Sequence, residues 1–125
     1  MKRVVLLCVL LLGAVLPGAG IFHAVAADRF VSVIEDLPLM DGLRENENAA
    51  VAFETAGGRI AEAEARGGIA PERVRRFYAE VLPQLGWTPL GEGLYRRERE
   101  RLKVIVESDG DGGTAVGFSV SPLGK

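Results

Sequence analysis

The residue types that carry most enzyme chemistry lie at the very start of this chain. Its only cysteine is Cys8 and its only histidine is His23, both within the first 26 residues. Without that segment, thiol nucleophiles, histidine-based catalytic triads and zinc sites made of Cys and His are excluded. Paired carboxylates are the catalytic groups that remain, although most acidic residues here have the spacing of solvated helix and strand faces.

A glycine-rich acidic segment is the closest approach to a metal site. Asp109-Gly110-Asp111-Gly112 is similar to the start of a calcium-binding loop. Such a loop needs a bidentate glutamate at its twelfth position, and Val120 stands there. Aspartate and glycine are also the residues that tight turns require, so we predict a hairpin turn without a metal.

An alternating-charge segment runs from Arg96 to Arg101. Within it, Arg97 and Arg99 have the chemistry to bind the carboxylates of a partner protein or an anionic glycan. The alternative is a solubilising edge that guards the sheet against edge-to-edge association. We take Arg97 and Arg99 as candidate partner-binding residues.

Segment 37–43 combines turn residues with apolar ones. Pro38 and its neighbours indicate a loop, yet the loop contains Leu39, Met40 and Leu43. So many apolar side chains either pack across the sheet or mark an interface with a partner. Leu39, Met40 and Leu43 are therefore further candidates for partner binding.

The first 26 residues have the organisation of an export signal. Lys2 and Arg3 precede the apolar run Val4–Leu16, and Ala24-Val25-Ala26 supplies the small residues that a signal peptidase recognises. We predict cleavage near Ala26 and a periplasmic or secreted product. The alternative is an uncleaved anchor, which would tether the chain to the membrane.

The charge of the exported chain bears on its partners. Removing Lys2 and Arg3 leaves 13 basic and 17 acidic residues, a formal charge of −4. Such a chain has no basic field for nucleic acid. It also lacks cysteines for a disulfide, so core packing must stabilise it, and no cofactor is predicted.

The 99 residues after the signal are enough for one domain. We divide them into an N-terminal arm and loop, 27–46, and a single α+β domain, 47–125. The arm begins as a short helix or as an extended segment. In the domain, alternating apolar residues on both sides of Gly57-Gly58 predict a β-hairpin over 49–66. Alanine and glutamate favour helix in its second half, but flanking glycine pairs make it too short for one.

One amphipathic helix follows the hairpin. Pro71 suits its first position, and the helix is expected to stop near Leu82 because of Pro83, with Gly86 at its C-terminal cap. Its polar side predicts Glu72–Arg76 and Arg76–Glu80 ion pairs. Its apolar stripe comprises Val74, Phe77, Tyr78, Val81, Leu82 and Leu85.

Four strands are predicted after the helix, over 87–90, 94–98, 101–108 and 114–121. Short glycine-rich or charged connections join them. The fold class is therefore α+β: a β-hairpin and one amphipathic helix packed on an antiparallel meander sheet. The aromatic residues Phe77, Tyr78 and Trp87 are expected to form a core cluster with their polar tips outward.

The segment 77–87, Phe-Tyr-Ala-Glu-Val-Leu-Pro-Gln-Leu-Gly-Trp, resembles a helix-end motif of small exported proteins. With segments 35–40 and 94–98, the chain is similar to uncharacterised periplasmic proteins of alphaproteobacteria. That resemblance covers most of the exported chain and implies a fold and a compartment, without an activity or catalytic residues.

These observations favour an exported, non-enzymatic binding or accessory module of the cell envelope. Its expected partner is an envelope protein or an envelope glycan. The enzyme alternative is a carboxylate-dependent hydrolase of an envelope glycan, which would need a pocket that holds two acidic side chains.

Overall fold

The computed structural model describes residues 29–124. The predicted signal peptide, residues 1–26, lies outside the described residues. Within them, one α-helix and nine strands form an α+β fold, as predicted.

The N-terminal arm is extended, as the second alternative expected, and it begins with two short strands. β1 (Phe30–Val31) and β2 (Ile34–Pro38) form a small antiparallel hairpin. A loop leads to β3 (Arg44–Glu45) and a 3-10 helix, Glu47–Ala49.

The predicted hairpin is confirmed. β4 (Val51–Thr55) pairs antiparallel with the first half of β5 (Gly58–Gly67), and β3 pairs with the end of β5 on the same side. The alanine- and glutamate-rich segment is a strand because its alanines pack into a shared core, which outweighs its local preference for helix.

The helix α1 spans Pro71–Gln84, two residues beyond the expected end. Pro83 has no N–H, so the last helical turn lacks one backbone hydrogen bond. Two other backbone hydrogen bonds hold the end of the helix. The Gly86 N–H donates to Pro83 O over 3.2 Å, and the Trp87 N–H donates to Leu82 O over 3.1 Å. Gly86 adopts φ 88°, the left-handed conformation that this C-terminal cap requires, as predicted.

Four strands follow the helix and form the predicted meander. They are β6 (Thr88–Gly91), β7 (Leu94–Arg97), β8 (Glu100–Ser108) and β9 (Thr114–Pro122). β5 pairs with β9, so the seven-stranded sheet has the order β3-β5-β9-β8-β7-β6, with β4 also on β5. The helix crosses one face of this sheet on its way from β5 to β6.

Only that face is buried. Alternate residues along the strands, such as Ala63, Phe118 and Leu102, point toward α1 and the arm. We call this side the covered face. The residues between them, such as Glu62, Gly117 and Lys103, share the opposite side, which we call the open face.

The arm belongs to the same core as the domain. Val31, Ile34, Leu37 and Leu43 are each at most 1% exposed and pack with helix residues. Arm and helix therefore cover the sheet together.

Candidate functional site

A cleft of about 640 Å³ opens on the covered face between α1 and the hairpin β6–β7. Its volume lies in the ~300–1,000 Å³ range of small-ligand sites. Its lining consists of Glu72, Arg75, Arg76, Tyr78, Ala79, Pro89, Gly91, Glu92, Gly93, Tyr95, Val104 and Val106.

The cleft exists because β7 is shorter than β8. β7 pairs with β8 only between Leu94 and Arg97, opposite Lys103 and Glu100. Beyond Lys103, the edge of β8 that faces the helix has no strand beside it. The small side chain of Ala79 on the helix leaves this corner unfilled.

Two contacts satisfy the backbone along this free edge. The Val104 N–H donates to Gly93 O over 2.8 Å, and Arg75 Nη2 donates to Val106 O over 3.0 Å. Arg75 also forms an ion pair with Glu72. Arg75 is thus a fixed bridge from the helix to the sheet at one end of the cleft.

The second helix arginine in the cleft is not engaged. Arg76 is exposed and forms no ion pair or side-chain hydrogen bond within residues 29–124. The predicted pairs of Arg76 with Glu72 and Glu80 are wrong, because Glu72 pairs with Arg75 one position earlier. The Arg76 guanidinium is left available to a ligand at the cleft.

The floor of the cleft is apolar except for one hydroxyl. Tyr95 and Val104 are 6% and 7% exposed, and Val106 packs against the core. Burial raises the pKa of Tyr95 above its ordinary value. Among the described residues its hydroxyl has no hydrogen-bond partner, so it can donate to a bound group.

Two carboxylates also line the cleft, as the enzyme alternative requires. The Glu72 side chain is 78% exposed and paired with Arg75, and Glu92 is exposed in the β6–β7 turn. Both side chains are open to water, and Arg75 is the partner of Glu72.

The apolar partner-binding candidates lie elsewhere. Leu39 and Leu43 are 6% and 1% exposed, so they belong to the core, and the packed alternative applies to them. Met40 is half-buried against the same core. A partner would have no access to the two leucines, because the loop folds onto the helix.

The arginine candidates are not brought together either. Arg97 points to the covered face, stacks on the Trp87 ring at 4.2 Å and pairs with Asp36. It also donates to Leu85 O over 3.1 Å. Its guanidinium is therefore committed to the arm and the helix end, whereas Arg99 is exposed in the turn between β7 and β8.

The Asp109 loop is the hairpin turn that was predicted. Asp109 Oδ1 accepts hydrogen bonds from Asp111 N over 2.8 Å and Gly113 N over 3.0 Å. Its carboxylate thus stabilises its own turn. Across residues 29–124, no group of three His, Cys, Asp or Glu side chains is placed to hold a metal ion.

Comparisons with protein-family models, curated proteins and solved structures found no match. The resemblance to small periplasmic proteins stays a prediction. No helix in the described part of the chain is long and apolar enough to cross a membrane. What the protein does must be inferred from the chemistry of its own surfaces.

Sequence reasoning missed Arg76 and Tyr95 as site residues. The periodic pattern placed Arg76 on the solvated side of the helix and gave Tyr95 no special position. The cleft forms where β7 ends beside the longer β8, and no local sequence pattern predicts that position. The glycines of the β6–β7 turn predicted only a connection between two strands.

Proposed function

We propose that this chain is an exported, non-enzymatic binding module of the cell envelope, and that its ligand lies in the cleft between α1 and β6–β7. The observation that carries the proposal is the free guanidinium of Arg76 beside the apolar floor made by Tyr95, Val104 and Val106. A concave apolar site with a few polar groups is the usual form of a ligand site.

The cleft chemistry suggests the ligand class. Arg76 offers a planar pair of donors to a carboxylate. The Tyr95 hydroxyl offers one more donor from the floor, and the valines offer apolar contact. The ligand is therefore a carboxylate-bearing segment with an apolar body, supplied by an envelope protein or by an acidic envelope glycan.

Recovery of a partner from the envelope is the first test. The tagged exported protein is used as bait in an envelope extract, beside Arg76→Ala and Arg73→Ala. Arg73 is exposed on the same helix but does not line the cleft, so it controls for the loss of one charge. A partner should be retained by wild type and Arg73→Ala and lost with Arg76→Ala.

Direct titration separates the two ligand sources. Short peptides rich in glutamate and leucine form one arm, and acidic oligosaccharides form the other, with amide NMR shifts as the measurement. Shifts should centre on Ala79, Val104 and Val106. Shifts confined to other surfaces, or equal binding by Arg76→Ala, would contradict a site in this cleft.

N-terminal sequencing tests whether the chain is exported and cleaved. The N-terminus of the protein recovered from the envelope should begin near Ala27. An N-terminus at Met1 would instead support the membrane-tethered alternative.

A further inference from the structure

The open face of the sheet carries apolar side chains that the fold leaves in water. Val51, Phe53 and Ile105 are 47%, 52% and 44% exposed. They are three of the six large hydrophobic residues that are exposed among residues 29–124, and all three lie on this one face. Val51 and Phe53 lie together on β4, whereas Ile105 lies three strands away on β8.

The side chains of this face form rows across the strands. Strand pairing places one residue of each of β4, β5, β9, β8 and β7 side by side on the same face. The longest row is Val51, Glu62, Ser119, Lys103 and Leu94. This row is self-complementary about its centre, because an apolar residue stands at each end and opposite charges flank the serine.

The next two rows toward the Asp109 loop run across β5, β9 and β8, and Arg44 of β3 stands beside Arg66 at the end of the second of them. They are Glu64, Gly117 and Ile105, and then Arg66, Ala115 and Glu107. The third row again has opposite charges on the two sides of a small residue. β9 contributes only small residues to all three rows.

The opposite charges do not neutralise one another within the chain. Glu62 and Lys103 are separated by β9, about 10 Å across two strand spacings, and so are Arg66 and Glu107. The ion pairs of the described residues involve other groups, at Arg59–Glu100, Arg75–Glu72 and Arg97–Asp36. Glu62, Lys103, Arg66 and Glu107 therefore remain free for contacts outside the chain. The same face also carries Glu64, Arg44, Arg96 and Arg101.

We propose that the open face binds the open face of a second copy of this chain, with a two-fold axis that runs along β9. This axis places β5 of each copy over β8 of the other. Glu62 then faces Lys103 of the second copy, and Arg66 faces Glu107 of the second copy. Val51 meets Leu94, which completes the longest row. In the row beyond it, Arg101 and Arg96 of one copy face Ile60 and Phe53 of the other.

The charge pattern selects this axis over the other two-fold arrangement. An axis across the strands would place β5 over β5, and Glu64 would face Glu64 of the second copy. Like charges in direct opposition are destabilising. Along β9, Glu64 instead faces Ile105 of the second copy, over which its aliphatic stem can lie. Sheets packed face to face keep their strands within about 30° of each other, which this axis permits.

Gly117 fits a close approach on the axis. A Cβ atom built on it would find nothing within 4 Å in the single chain, so internal packing does not require glycine there. Glycine weakens a strand interior and often marks a place where another backbone comes close. In the proposed dimer, Gly117 faces Gly117 of the second copy at the centre of the interface.

The area is sufficient for a specific dimer. The strands β4, β5, β9, β8 and β7 contain 37 residues in all. At about 4.8 Å between strands and about 3.4 Å per residue, they give a footprint of about 600 Å². Standard interfaces bury about 800 Å² of accessible surface on each partner, which is larger than a flat footprint for the same contact. The contact would hold two copies together without an additional element.

Charge exchange tests the proposal directly. The exported protein should sediment as a dimer, and Glu62→Lys or Lys103→Glu should each raise the dimer dissociation constant by at least about tenfold, because each places like charges in contact. A one-to-one mixture of the two variants should restore the dimer, since the lysine introduced in one chain then faces the glutamate introduced in the other. Arg73→Glu, on the helix, is the matched control and should leave the mass unchanged.

Gly117→Val provides a test that keeps the charges intact. A valine suits the strand and has room in the single chain, so the dimer should be lost. At a concentration at which wild type is also monomeric, the variant should melt at the same or a higher temperature. A wild-type protein that is monomeric at hundreds of micromolar overturns the proposal. So does a dimer that survives both charge variants and Gly117→Val, or a mixture that fails to reassociate.

Discussion

The hydroxyl of Tyr78 donates a hydrogen bond of 3.0 Å to the carbonyl oxygen of Pro38 and so ties the helix to the N-terminal arm. The same hydroxyl oxygen accepts a bond of 3.3 Å from the Met40 N–H. The expectation that the aromatic tips point outward is wrong for Tyr78, which is 1% exposed. It is also wrong for Trp87, whose Nε1 is buried without a hydrogen-bond partner among the described residues. The Tyr78 ring also packs edge-on against Phe77 and Phe118, at 4.9 Å and 5.2 Å.

Tyr78→Phe tests this tie between the helix and the arm. It keeps the ring but leaves the Pro38 carbonyl and the Met40 N–H without their partner, which should lower the free energy of unfolding by about 1–3 kcal/mol. Denaturant unfolding measures the change. Tyr95→Phe is the control and should change stability little, because its hydroxyl bonds to nothing within residues 29–124. Equal losses in both variants would contradict the tie.

The free energy of unfolding should depend on pH through the Asp36 carboxylate. The hydrogen-bonded guanidinium of Arg97, with Arg59 nearby, holds the pKa of Asp36 below its ordinary value of 3.8. The folded state thus favours the charged form, and this stabilisation is present above the ordinary pKa and is lost as the pH falls through the lower folded pKa. The effect is modest, since the Asp36 side chain is 47% exposed.

Asp36→Asn isolates that contribution. Wild type should be more stable than the variant at pH 7, and the difference should shrink toward pH 3 as Asp36 becomes neutral. Unfolding midpoints of the two proteins across this range provide the measurement. A difference that stays constant with pH would show that the Asp36 charge is not what Arg97 binds.

The two tyrosines of the chain should ionise only at unusually high pH. Burial raises the pKa of both Tyr78 and Tyr95 above the ordinary value of 10.0. Because the folded state favours the neutral phenol, stability is full below pH 10.0 and is lost as the pH rises through the folded values. Ultraviolet absorbance should show phenolate near the ordinary pKa in urea and only above it in the native protein.

Tyr95→Phe separates the two groups in that titration. Only Tyr78 remains in this variant. Its ionisation should match the later of the two transitions of wild type, because Tyr78 is the more deeply enclosed tyrosine. Native phenolate that forms at the same pH as in urea would contradict the burial of both side chains.

The parts of the fold that repeat locally could be predicted from the sequence. The helix period of Val74, Tyr78 and Leu82 and the alternation along β9 indicate their elements directly, because the residues of each buried face recur at a fixed spacing. The arm could not be resolved in the same way. Its strands are too short for a period, and Leu39 and Leu43 are buried only because the helix lies opposite them.

The candidate site depends on relationships that no local pattern contains. Arg76 is free because Glu72 pairs with Arg75, and spacings of three and four residues on a helix both permit such a pair. Arg97 is committed because the arm brings Asp36 to it from a distant part of the chain. The charge pattern of the sequence predicts the opposite, with ion pairs for Arg76 and a guanidinium free for a partner at Arg97.

The start of the helix offers the last test. Ala70 precedes Pro71 with φ −59° and ψ 137° and makes no side-chain cap bond. A serine in that extended conformation can accept a hydrogen bond from the N–H of Glu72 or Arg73, so Ala70→Ser should stabilise the domain by about 0.5–1 kcal/mol. Thermal and denaturant unfolding measure the gain.

Ala79→Ser is the matched control for that substitution. It makes the same chemical change in the middle of the helix, where serine has lower helix propensity than alanine, and should destabilise by up to about 0.5 kcal/mol. Opposite signs for the two serines would confirm that the cap is at Ala70. An unchanged or lowered melting temperature for Ala70→Ser would place the helix start elsewhere.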